Sequence, residues 1–294
     1  MLRVGSRTQF QIARCIQQNA SRYFSQAVAS TTSSSSLVET SIDGNVATLT
    51  MNRLPVNSLS LEMCEAISSG IKEVEANPKV QGLVLASLSK STFSAGLDLN
   101  ELYNPDLDRL TAFWKSFQQV FLDLYGSRLA VIGAIEGNAP AAGCMLALSC
   151  DYRIMSSGSG KKVPLIGLNE SQFGIVAPPF LGHLMLRTVG QREGEIALSL
   201  GKLYTPSDAL RVNMVDEVVD IEKVLGRSYE CAHQWAKIPP HARYASKMLA
   251  RKQYLQELHA TRDEDVEAFK GFVMNEQVQK NLGAYLQSLK VKKK

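Results

Sequence analysis

Two apolar runs, "VQGLVLAS" at 80–87 and "LAVIGAIEG" at 129–137, constrain this chain more than any other feature. Each is short and rich in aliphatic side chains, and reads as a buried strand. Between them, from about Asp108 to Tyr125, Leu110, Phe113, Trp114, Phe117, Phe121 and Leu124 recur on one side of a helix. Strand, helix and strand together make an α/β unit. The rhythm extends both ways. Upstream, Asp43-Gly44 turns a hairpin whose second strand carries Val46, Leu49 and Met51, and "NSLSLEMCEAISSGIKEVEANP" places Met63, Ile67, Ile71 and Val74 on one helical face that stops before Asn77-Pro78. Downstream, "APAAGCMLALSCDYRIMSS" reads as a short helix feeding a strand. The middle of the chain is therefore expected to consist of strand-strand-helix or strand-helix turns.

From Pro178 the text becomes mainly helical. Thr205 is placed as an N-cap with Pro206 in the first turn and Asp208 three residues past the cap, and "VNMVDEVVD" reads as a short strand. Several amphipathic helices follow from about Ile221 to Gln287.

Bulk properties exclude several classes. The 294 residues, 45% apolar and 20% charged, can bury a full core, and no run of eighteen apolar residues exists to span a bilayer. Net charge is +4, part of it in the first 35 residues and the terminal "KVKKK", so the body is near neutral and a poor match for nucleic acid. Cys15, Cys64, Cys144, Cys150 and Cys231 show no C-x-x-C pairing, and His183, His233, His241 and His259 show no metal spacing, so reduced thiols and no metal site are expected. "SSGSGKK" fails as a phosphate loop, because Met155 stands where its first glycine belongs and Lys162 replaces the Ser/Thr. It reads as a flexible excursion before Pro164.

The N-terminus differs in kind. Up to Glu39 there is no acid, while Arg3, Arg7, Arg14 and Arg22 accompany a serine-rich text with "FQIARCIQQ" at helical spacing. Such a leader resembles a mitochondrial transit peptide, with "RYFS" at 22–25 as a processing site. Residues 1–35 are set aside from the fold, and a mitochondrial matrix location is expected. The chain's ending is not the serine-lysine-leucine signal of peroxisomes, in keeping with this.

Three segments could carry chemistry. "PLIGLNESQFGIVAPPF", 164–180, holds a single charged residue, Glu170. A carboxylate in apolar surroundings has a raised pKa and can both take and give a proton, unless it lies on an exposed loop or meets a distant Arg. "FSAGLDL" at 93–99 and "GNAPAAGC" at 137–144 each follow a strand, and the second opens a helix. Small side chains let a ligand approach the backbone, and the first N–H groups of a helix are free to bind an oxygen that is becoming negative.

In order and spacing, "NSLSLEM", "FSAGLDLNEL", "GNAPAAGCMLALSCDYRI" and "IGLNESQFGI" resemble the crotonase (enoyl-CoA hydratase/isomerase) superfamily over about residues 40–290. The resemblance implies an α/β spiral of strand-strand-helix turns at 36–220 and a C-terminal helical region at 221–294. It further implies homotrimers, an acyl-CoA thioester as substrate, and no cofactor beyond that substrate's own coenzyme A. Carried over by resemblance, the oxyanion donors are the backbone N–H groups of Ala95 and Ala142, the latter standing where many members have glycine. Glu170 is the catalytic carboxylate, and Ala95, Gly96, Leu97, Asp98, Leu99, Ala142 and Asn169 line the substrate. Hydratases of the family use a further glutamate that falls on Met145, and methionine cannot ionise water. The expectation is therefore an isomerase of enoyl-CoA in fatty acid β-oxidation. The alternatives are another thioester activity of the same fold, hydratase or hydrolase, or a non-catalytic acyl-CoA- or RNA-binding relative.

Overall fold

The structure, a computed structural model, describes residues 36–160 and 162–291. The leader expected at 1–35 lies outside the described residues, as does Lys161 in the Gly158–Lys162 loop. Gly44, at φ +59°, turns β1 (Val38–Asp43) into β2 (Val46–Met51), and the two pair antiparallel from Val38↔Met51 to Asp43↔Val46. Helix α1 (Leu61–Ala76) begins at Ser60, whose hydroxyl accepts from the Met63 N–H. Next come β3 (Gly82–Ser87), α2 (Leu107–Tyr125), β4 (Ala130–Ile135), β5 (Ala139–Pro140), α3 (Ala142–Ser149) and β6 (Tyr152–Ser156). After β7 (Ile166–Gly167) the chain is mostly helical: α4 (Pro179–Val189), α5 (Gln191–Leu200), α6 (Pro206–Arg211), then β8 (Glu217–Val219), α7 (Val224–Ala236), α8 (Pro240–Val273) and α9 (Glu276–Val291). As expected, Thr205 caps α6 by accepting from the Asp208 N–H.

The main sheet runs β1-β2-β3-β4-β6-β8, parallel throughout except for the β1 hairpin. Strands β3 and β4 are buried along their whole length because helices cover both faces. Side-chain alternation sorts the core. Ala47, Leu49, Met51, Leu83, Leu85, Val131 and Ile135 join α1 and α2, while Val46, Val84, Ala86, Ile132, Ala134 and Ile154 face α7 through Val224, Cys231 and Ala232. The C-terminal helices thus complete the sheet's second cover. The aromatic side of α2 is core, and its Trp114 stacks on Phe269 of α8 with ring centroids 3.4 Å apart while donating to Asp265 at 2.7 Å. Among the described residues no helix is long and apolar enough to cross a membrane.

A smaller layer positions the site. Beyond the carboxyl ends of the main strands, Leu59 bridges Leu97 in parallel, Thr92 bridges Asn138, and β5 pairs with β7 through Ala139↔Ile166 and Pro140↔Gly167. Each main strand therefore feeds a short second strand and then a helix or turn: β4 leads through β5 to α3, and β6 leads through β7 to a 3₁₀ turn at Glu170–Phe173. Ligands of parallel α/β sheets gather at this carboxyl edge.

Candidate active site

Because β5 and β7 run side by side in the same direction, the segments they deliver are neighbours. One is the start of α3; the other is Leu168-Asn169-Glu170. Ala141 joins them, its N–H donating to Gly167 O at 2.8 Å. This residue takes φ +50°, rare for a side chain with a Cβ, and offers α3 no side-chain cap. All eight residues of α3 are buried, and the Ala142 N–H at its start has no partner among the described residues. A buried, unpartnered N–H at a helix N-terminus is a costly feature that a bound oxygen would relieve.

The 93–99 loop lies directly on this helix start. A Cβ on Gly143 would fall 2.1 Å from Ser94 O, and one on Gly96, which sits at φ +88°, would fall 3.1 Å from Ala142 N. Asn57, in the "NSLSLEM" segment, holds the loop from beneath. Its buried amide donates to Ser87 Oγ at 2.8 Å and Phe93 O at 3.1 Å, and its carbonyl accepts from Ser94 Oγ at 2.8 Å.

The two expected backbone donors fare differently. Ala142 is free. Ala95 is not, because its N–H donates to Val56 O at 2.9 Å, and the assignment of Ala95 as a donor is corrected accordingly. In this extended segment Gly96 O accepts from Leu59 N–H and Asp98 N–H donates to Leu59 O, both at 2.8 Å. The N–H of the intervening Leu97 therefore points to the opposite side and has no partner among the described residues. Leu97, unlike Ala95, thus has an N–H available to a ligand.

Glu170 opens its 3₁₀ turn half-buried, with Oε2 shut away from solvent without a hydrogen-bond partner. Burial pushes its carboxyl up to about 7, opposed only by a hydrogen bond from its own N–H. The exposed or Arg-paired alternative is not what is found. The proximity of α3 is legible in Cys144: burial, and next the charge of Glu170, push that thiol far above its ordinary range. A carboxyl that titrates near neutrality thus stands beside a helix start with a free N–H.

Comparison with known proteins accords with this geometry. The sequence model of the enoyl-CoA hydratase/isomerase family matches residues 41–294. The chain belongs to that family. Over 257 residues this family member is 40% identical to the mouse protein named enoyl-CoA delta isomerase 1, mitochondrial, spanning 87% of this chain and 88% of that one. The crystal structure of human mitochondrial delta3-delta2-enoyl-CoA isomerase matches at 39% identity with a TM-score of 0.84, covering 88% of this chain and 100% of the other. An enoyl-CoA hydratase from Bacillus halodurans, at 22% identity and a TM-score of 0.75 over 85% of this chain and 100% of that one, shares the fold. The fold expected from the four motifs is the crotonase fold.

The remaining expected site residues divide by what holds them. The carboxylate of Asp98 is committed, capping Leu99–Glu101 through Asn100 and pairing with Arg53 at 2.6 Å. Burial would raise it, yet the Asn100 N–H and the Arg53 guanidinium outweigh that and hold it below the usual carboxylate range. Leu99 starts this small turn, so Gly96 and Leu97 form the part of the loop that meets α3. Asn169 is buried, and its side-chain amide makes no hydrogen bond among the described residues. Met145 is fully buried one turn into α3 and brings no acid to the site. Among the described residues no group of three or more His, Cys, Asp or Glu side chains could hold a metal ion. Gly143→Ala is expected to destabilise the enzyme-family scaffold by about 1–3 kcal/mol, since backbone must part from backbone to admit the methyl group. Urea unfolding checks this, and an unchanged midpoint would show that the contact relaxes freely.

Proposed function

We propose that the chain is an enoyl-CoA delta isomerase of fatty acid oxidation, moving the double bond of 3-cis- or 3-trans-enoyl-CoA to the 2-trans position. The observation that carries this is one carboxyl, titrating near 7 with its Oε2 shut away from solvent and unpartnered, beside the free N–H at the start of α3. The thioester oxygen would accept from the N–H groups of Ala142 and Leu97. Glu170 takes a proton from C-2, the electron pair spreads as a dienolate onto that oxygen, and Glu170 returns the proton at C-4. Atoms and charge balance within one substrate, so the reaction calls for no cofactor beyond the coenzyme A it carries. Each oxyanion donor is worth roughly 3–4 kcal/mol of barrier, comparable with the contribution of the base.

A near-neutral pKa suits both halves of the shuttle. An ordinary carboxylate at about 4.3 would be too weak a base, and one far above 7 would stay protonated. Met145 supports isomerisation over hydration because its thioether can neither hold nor ionise a water molecule. A mitochondrial matrix location, supported by the basic, acid-free leader and by relatives named mitochondrial, completes the reading, together with the homotrimer that the family resemblance implies.

Purified protein given 3-hexenoyl-CoA should produce a conjugated product, followed by its absorbance. A hydroxyacyl product without the conjugated one would overturn the reading. The pH profile is a second expected outcome. Because Glu170 must begin as carboxylate, kcat/KM should rise with pH through an apparent pKa near 7 and then level off. A profile flat from pH 5 to 9 would assign proton removal to another group.

A further inference from the structure

Glu170 is the first residue of a 3₁₀ turn, in which successive side chains are spread by about 120°. The two that follow point to one neighbour, the end of α5. Ser171 Oγ donates to Leu198 O, and Gln172 Nε2 donates to Gly201 O at 2.7 Å. The last carbonyls of a helix have no partners within it. The turn that carries Glu170 therefore caps α5, and α5 in return fixes the turn with Glu170 directed away from it. The fit is close: a Cβ on Gly201 would lie 2.8 Å from Gln172 Cγ and 3.1 Å from Asn169 O. The backbone N–H of Gln172 closes the turn onto Asn169 O at 3.1 Å. This end of α5 is itself locked. Lys202 Nζ and Tyr204 OH both meet Glu193 Oε1, at 2.8 and 2.6 Å, and Tyr204 exchanges backbone bonds of 3.1 and 2.8 Å with Ile166 of β7.

We propose that Gln172 is a positioning residue for Glu170, its bond to Gly201 O setting the rotation of the turn and hence how deeply the carboxyl sits. This rests on the reading of Glu170 as the base. Gln172 is exposed, so truncating it opens no core cavity. Of the titratable groups around Glu170, Cys144 on α3 is kept neutral by burial, and Lys202 and Glu193 on the α5 side neutralise each other. The depth of the carboxyl is then the variable that Gln172 controls.

The test compares the full-length chain with Gln172→Ala and Gln172→Lys. It measures kcat and KM on 3-hexenoyl-CoA across pH, the thermal midpoint, and the titration of Glu170 by carbon-13 NMR, assigned by difference from Glu170→Gln. For Gln172→Ala, kcat should fall about tenfold with KM unchanged within about twofold, and the Glu170 pKa should move from near 7 toward the ordinary range as water reaches it. Gln172→Lys keeps a donor to Gly201 O at a helix C-terminus that favours a cation, and should hold kcat within about threefold of the unmutated chain. Unchanged kcat and titration in Gln172→Ala would overturn the proposal. So would a loss of kcat that tracks a lowered thermal midpoint while the Glu170 titration stays put. If the unmutated chain fails to isomerise, the reading of Glu170 as base falls, and the titration alone then decides the role of Gln172.

Discussion

Glu170→Gln should lower kcat on 3-enoyl-CoA by about 10³–10⁴-fold while acyl-CoA affinity stays within about threefold, because the amide keeps the shape and loses the proton shuttle. The same substitution should stabilise the fold at alkaline pH. The sign follows from the raised pKa, about 7 in the native state against an ordinary 4.5. Below the lower value both states carry the proton and the group is neutral to stability. Between the two values the native state holds a proton that the unfolded chain has released, so native stability declines as pH rises through this window. Above the upper value the whole penalty is present. Glutamine never bears it. Glu170→Gln should therefore gain about 2 kcal/mol at pH 8, allowing for the half-buried residue's contact with solvent, and almost nothing near pH 4.5. Paired measurements of turnover and of urea midpoint at both pH values check this. A variant that is inactive but no more stable at pH 8 would place the carboxyl in water, and an active one would remove Glu170 from the chemistry.

That trade between activity and stability was readable in the sequence because it is local. The stretch around Glu170 contains no other charge; what the sequence could not exclude was an Arg arriving from elsewhere. The buried runs at 80–87 and 129–137 were legible for the same reason, since strands covered on both faces need no information beyond their own apolar content. The oxyanion donors show where local reading ends. Ala95 and Leu97 flank Gly96, whose φ of +88° breaks the alternation of an extended chain, so that the Ala95 N–H faces Val56 and the Leu97 N–H does not face Leu59. Which of them is free depends on Val56 and Leu59 lying on one side, a register set by tertiary pairing. The positive φ of Ala141 escaped notice because alanine rarely adopts it. Gly143, by contrast, could have been flagged: a glycine inside a short, otherwise apolar helix usually marks a close backbone approach, here to Ser94 O.

The largest effect on stability is expected far from the chemistry, at Asp151, whose partners lie about a hundred residues downstream and left no mark in the sequence pattern. Asp151 Oδ2 meets Lys247 Nζ at 2.7 Å and Oδ1 meets Arg251 Nη1 at 2.9 Å, with the acid's side chain 3% and the lysine's 7% exposed. Oδ2 also accepts from the Val131 N–H at 2.8 Å, while Lys247 reaches Ser127 O at 2.9 Å and Leu129 O at 2.8 Å, so one cluster ties α8 to the amino ends of β4 and β6. Asp151→Ala leaves a buried ammonium and guanidinium without an anion, and breaking such a pair costs about 3–5 kcal/mol. Burial already lowers the Lys247 pKa, and Asp151 is the main influence opposing that shift. Without the acid, Lys247 should release its proton more readily. A cation whose native pKa is depressed makes stability rise with pH, so Asp151→Ala should recover part of its loss between pH 7 and 9.5. Asp151→Asn with Lys247→Met, which removes the unpaired charge as well, should recover more than Asp151→Asn alone. Urea midpoints across pH measure all three. If Asp151→Ala lost less than about 1 kcal/mol at pH 7, water rather than the acid would be solvating Lys247, and the attachment of α8 would rest on Trp114, Phe269 and the apolar seam around them.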